Sequence, residues 1–194
     1  ASNTALGTFA LQSNTTASNN TAVGYQASLN ATTGAANTFV GGLSAGLGVV
    51  TGSHNVGLGA ETLYRLTSGG SNVSIGYQAL QFNTTGSSNV AIGREALENN
   101  TASNNTAVGY QAGYSVTTAA NITAIGASTL DAVTTGNNNV GVGNSAGGAV
   151  TTGTNNTMMG VSCGELITTG SKNTIIGRYN GNQGGLDIRT SSNN

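Results

Sequence analysis

A glycine returns every 17 residues along almost the whole chain. Gly7, Gly24, Gly41, Gly59, Gly76, Gly93, Gly109, Gly126, Gly143, Gly160 and Gly177 are spaced by 17, 17, 18, 17, 17, 16, 17, 17, 17 and 17 residues. The string TASNNTAVGYQA at 16–27 recurs unchanged at 101–112, five periods later. A period this short excludes helical repeats, which need about 33 residues or more per unit. It leaves architectures in which each unit is one small turn of backbone that must stack on its neighbours to bury anything.

Counted back from each closing glycine, the columns alternate. The residue one before is always aliphatic or Met, and the residue three before is always Thr or Val (Thr4, Val56, Val90 and Thr174 among them). Two before stand mostly small residues (Ala5, Ala22, Gly57, Ser74, Ala91), with Phe39, Met158 and Ile175 as large exceptions. Asn stands four before in all units but one, where Ile122 takes its place. Three after the glycine comes another small residue in all units but the last, where Asn180 stands, and many units close on Thr-Thr-Gly, as at 84–86 and 134–136.

Alternation with period two and β-branched side chains predicts a strand of about five residues ending at the glycine. A second short strand is expected over the small residue and the three or four after it. Thr-Thr-Gly then turns the chain. The predicted fold is all-β: a parallel β-solenoid or β-roll of about eleven 17-residue coils. Strands about 4.8 Å apart make it a rod roughly 50 Å long. Residues 1–177 form the repeat region. Residues 178–194 are expected to be a transition segment leading into a further domain. The chain opens at Ala1 without Met and is read as a piece of a longer polypeptide.

Stacking assigns roles to columns. One Asn per coil suits an amide ladder along the rod, which names Asn20, Asn37, Asn55, Asn72, Asn89, Asn105, Asn139, Asn156 and Asn173. The aliphatic column is expected to fill the interior: Val23, Val40, Leu58, Ile75, Ile92, Val108, Ile125, Val142, Met159 and Ile176. The small column two before the glycine then faces outward. There it lets another copy approach closely, and a homotrimer is expected.

Composition narrows function. Gly, Thr and Asn supply 31, 29 and 26 of the 194 residues, while charged residues are 6% and Pro is absent. Collagen is excluded, because Gly has no period of three. With Lys+Arg 5 against Asp+Glu 6, no basic footprint for nucleic acid exists. No apolar run is long enough for a membrane-spanning helix.

Catalytic chemistry is not indicated, and no cofactor or metal is expected. His54 is the only histidine and reads as a solvated loop residue. Cys163 occupies the small-residue column and reads as a buried substitute for Ala. Glu95 and Glu98 read as solvated surface. Gly57-Leu58-Gly59 and Gly141-Val142-Gly143 lack the helix and the Lys-Ser/Thr of a phosphate loop. Tyr25, Tyr77 and Tyr110 each follow a closing glycine in Gly-Tyr-Gln-Ala. They are expected to point outward at a coil corner, where aromatic and amide groups suit contact with a cell-surface polysaccharide.

Units such as NNTAVGYQA, SNVAIGREAL and KNTIIG resemble the repeats of phage tail fibre proteins. They are also similar to the head repeats of trimeric autotransporter adhesins, left-handed parallel β-rolls. The resemblance covers about residues 1–177, and the tail GGLDIRTSSNN resembles the segment that follows such repeats. It implies a trimeric fibre on a virion surface, giving a rigid rod and host attachment. The alternatives are a bacterial adhesin head or filament on the cell surface and, in a different class, an ice-binding β-solenoid.

Overall fold

The computed structural model describes residues 2–178 and 180, with the backbone of 182–183 and 186–187. Eleven strands form one parallel sheet: β1 (Thr4–Leu6), β2 (Thr21–Val23), β3 (Thr38–Val40), β4 (Val56–Leu58), β5 (Val73–Ile75), β6 (Val90–Ile92), β7 (Thr106–Val108), β8 (Thr123–Ile125), β9 (Val140–Val142), β10 (Thr157–Met159) and β11 (Thr174–Ile176). They pair in chain order, and like columns sit opposite one another: Thr106 against Thr123, Ala107 against Ala124, Val108 against Ile125. The chain is a parallel β-solenoid. The expected transition segment, 178–194, lies mostly outside the described residues. Within it, β12 (Asn182–Gln183) and β13 (Leu186–Asp187) pair antiparallel.

Each of these eleven strands has three residues rather than five, and among the described residues of the repeat, 2–178, no second strand follows within a coil. The rest of each coil is turn, and its backbone still bonds to the coils above and below. Gln78 donates to Ala60 O at 3.1 Å and Leu80 to Ala96 O at 3.1 Å. Three non-strand positions per coil lie in the left-handed region: two and four after the glycine, and five before the next. In one coil these are Glu61 (φ 57°), Leu63 (φ 51°) and Ser71 (φ 58°). A left-handed L-residue costs roughly 1–2 kcal/mol, so these turns persist because the stack over-determines them. The closing glycine has no such freedom. At Gly76 (φ 126°) an added Cβ would lie 2.6 Å from Gly93 O of the next coil.

The interior is the reverse of the sequence expectation. The middle strand residue is the buried one: Ala22, Phe39, Ser74, Ala91, Ala107, Ala124 and Met158 are 0% exposed. The aliphatic column expected inside lies on the outer face. Leu58, Ile92, Ile125, Met159 and Ile176 are exposed, and Val23, Val40, Ile75, Val108 and Val142 are half-buried. The reason is volume. The opposite wall of the coil already carries Leu63, Leu66, Leu80, Leu97, Val116, Leu130, Val133, Val150 and Ile167, all fully buried. Only a small residue fits between that wall and the sheet. Where the strand inserts a large side chain, the wall shrinks: Phe39 shares its coil with Ala45, and Met158 with Gly164. A Cβ on Gly164 would stand 2.7 Å from Met158 Sδ.

The Asn column closes the far end of the core. Asn37 is typical: its Oδ1 accepts the Asn55 amide at 2.8 Å, and its Nδ2 donates to Gly52 O at 3.0 Å. Its own amide donates to Asn20 Oδ1 at 2.8 Å. Asn20, Asn37, Asn55, Asn72, Asn89, Asn105, Asn139, Asn156 and Asn173 are all buried and repeat this scheme with small variations. At the Ile122 rung the amide still donates to Asn105 Oδ1 at 2.9 Å. Ile122 has no side-chain acceptor to offer Asn139, whose Nδ2 instead reaches Gly136 O at 2.9 Å.

Candidate functional site

Two surfaces of the rod stand out. The first is the outer face of the sheet. Strand parity puts the Thr/Val and aliphatic columns there together: the first is Thr in seven strands and Val in four, so Val56 lies beside Leu58, Val90 beside Ile92 and Val140 beside Val142 on β4, β6 and β9, and Thr beside an aliphatic residue or Met on seven others. No charged residue interrupts these two columns. Eleven strands about 4.8 Å apart, each rising about 3.3 Å per residue, give a strip of about 500 Å².

The second surface is the corner after the closing glycine. Consecutive coils place Tyr77, Arg94 and Tyr110 there, the two rings 43% and 47% exposed. The Arg94 guanidinium carbon stands 5.8 Å from the Tyr77 ring centre and 5.9 Å from that of Tyr110. The next residue along forms a polar row beneath. Arg94 Nε donates to Glu95 Oε1 at 2.7 Å, and Gln111 Nε2 donates to Glu95 Oε2 at 2.7 Å. Two coils away, Gln78 and Gln81 both donate to Glu61 Oε2, at 2.9 and 2.8 Å. Stacked carboxylates would repel at coil spacing. Alternating Glu with Gln turns the row into charge-assisted bonds.

Glu95 and Glu98 are 8% and 9% exposed, not the solvated surface the sequence suggested. Glu95 is covered by stacking, with Gln111 of the next coil bonded to its carboxylate. The hydrogen bond from Gln111, then that from Arg94, holds the Glu95 carboxyl below its ordinary range against burial. Burial, and then the Glu95 carboxylate, pushes Glu98 up; Arg94 opposes this.

Of the three tyrosines, the structure brings Tyr77 and Tyr110 together around Arg94. Tyr25 lies coils away and meets Phe9 edge-on, ring centres 6.3 Å apart. Arg94 holds the same place after its closing glycine as the tyrosines do, and what the sequence does not show is that its guanidinium stands between the two rings. His54 is exposed in a left-handed turn (φ 62°). Cys163 is 0% exposed, with its sulfur 3.3 Å from Ile175 O; burial raises its thiol.

The threonine rows are partly committed to the rod. Thr67, Thr101 and Thr117 hydroxyls donate to Thr84, Thr117 and Thr134 carbonyls of the next coil at 2.9, 3.0 and 3.1 Å. A shallow notch of about 330 Å³ opens where Gly148 leaves no side chain between Asp131 and Glu165. Among the described residues, no three His, Cys, Asp or Glu side chains gather as a metal site would require. No described helix is long and apolar enough to cross a membrane. Comparison with protein-family models, curated proteins and solved structures finds no match for this chain.

Proposed function

We propose that the chain is a structural, non-enzymatic segment of a homotrimeric fibre, a rigid spacer that also contacts a host surface. The observation that carries this is the uncharged strip on the outer face of the sheet, a partly exposed aliphatic column beside a column of Thr and Val. A regular strip running the length of a rod is suited to lengthwise packing against copies of itself, and three rods can each turn one such face inward. The face that packs is thus the aliphatic one, not the small-residue column.

The repeat resemblance favours a phage tail fibre over a bacterial adhesin head or filament, with the protein on a virion or cell surface. Corner tyrosines on an uncharged rod suit weak polysaccharide contacts, which three copies would multiply. Against an ice-binding surface, the hydroxyls of Thr67, Thr101 and Thr117 are taken by carbonyls of the next coil, and the outward Thr column of the sheet is interrupted by Val in β4, β5, β6 and β9.

Two adjacent substitutions test the packing. Val108→Asp places a charge on the half-buried outer face, where a lone chain can hydrate it. Ala107→Asp places one in the closed interior, where it cannot. Val108→Asp should keep the β circular dichroism and lose the assembly, while Ala107→Asp should not fold. An unchanged assembly with Val108→Asp contradicts the proposal.

A further inference from the structure

We infer that Tyr77, Arg94, Glu98 and Tyr110 form a subsite for a neutral, polyhydroxylated saccharide. This rests on the surface-contact part of the proposed function. Three observations carry it.

First, the Arg94 side chain is 60% exposed yet fixed. Glu95 holds its Nε, and rings flank it on both sides. No described residue takes the other guanidinium nitrogens, so their N–H groups point to solvent from a held position. Second, Glu98 stands four residues after Arg94 in the same turn, and no described residue donates a hydrogen bond to its carboxyl. One coil back, Gln81 in the same column bonds Glu61 at 2.8 Å, which places this column beside the Glu/Gln row that includes Glu95. A solvent-facing carboxylate without a donor is a place for an incoming O–H. Third, the rims of Tyr77 and Tyr110 stay exposed and frame the group with amphipathic aromatic surface.

The charge balance selects the ligand. Glu95 already matches Arg94, and Glu98 adds a further carboxylate. The patch therefore has no net positive charge to hold an acidic sugar, sulfate or phosphate. A neighbouring pair of hydroxyls fits instead, one accepting from Arg94 and the other donating to Glu98.

The test passes the 194-residue chain over immobilised neutral hexose and N-acetylhexosamine oligosaccharides, with sialylated and sulfated oligosaccharides alongside. Retention on neutral members is expected. It should weaken at least tenfold in Tyr77→Ala/Tyr110→Ala and in Glu98→Gln, and stay unchanged in Tyr25→Ala. Melting of each variant, measured in parallel, separates lost contact from lost fold. The subsite is overturned if no neutral member is retained, if charged members are preferred, or if Tyr25→Ala weakens retention as much as the tyrosine pair does. Light scattering on the same samples keeps the two proposals apart. A trimer that binds no sugar removes only the subsite, and a monomer that binds removes only the fibre.

Discussion

Replacing Asn37 with Ala removes one rung of the buried amide ladder. Two groups lose their partners: the Asn55 amide, held at 2.8 Å, and the Gly52 carbonyl, held at 3.0 Å. The Asn55 side chain keeps Gly69 O at 3.0 Å. Each orphaned buried group costs about 1–3 kcal/mol, so the substitution should cost about 2–6 kcal/mol. In a domain of this size that lowers the melting temperature by at least about 4 °C. Asn138 provides the internal control. It ladders too, donating to Asn155 Oδ1 at 3.3 Å, but it is exposed, and water can replace its partners. Asn138→Ala should therefore cost only about 0.5 kcal/mol, the preference of Asn over Ala for its left-handed backbone (φ 60°). Guanidinium unfolding of both variants, followed by circular dichroism, makes the comparison. If Asn37→Ala costs under about 1 kcal/mol, or the two cost the same, burial of the ladder is not what stabilises the coils.

Two further outcomes follow from named side chains. Because burial raises Glu98 in the fold, its charged form is disfavoured there. The resulting penalty is absent below the ordinary carboxylate range and accrues as pH rises through the raised value. Glu98→Gln should therefore raise the melting temperature at neutral pH and flatten its dependence on pH, with no gain in acid. Asp131, raised by burial against its backbone hydrogen bonds, acts in the same sense. Ala36 is exposed in a left-handed turn (φ 56°) where Asn19, Asn104, Asn121, Asn138 and Asn155 stand in other coils. Ala36→Asn should stabilise by about 0.5 kcal/mol in chemical unfolding, since Asn tolerates that backbone better.

The stack, its parallel register and the Asn column were legible because each needs only one position per coil, repeated. The orientation of the sheet was not. Alternation shows that residues 106 and 108 share a face and residue 107 takes the other, but parity alone does not say which face is inside. That depends on the width of the coil, set by Leu63, Leu80, Leu97 and Leu130 in turns with no strand-like pattern. One signal was present: Phe39 is paired with Ala45 and Met158 with Gly164, the large strand residue facing a small one across the coil. The missing second strand has a similar cause, since left-handed Leu63 and Leu80 are conformations that stacking imposes and propensity does not announce. The burial of Glu95 depends on Gln111 one coil away, a partner that local reading does not reach.

The packing of copies through the outer face is tested most directly by the mass of the native chain in solution. Multi-angle light scattering should give about three times 19.0 kDa, at concentrations where Val108→Asp gives one. A well-behaved native monomer would contradict the trimer and leave the apolar strip of Leu58, Ile92 and Ile125 open to water.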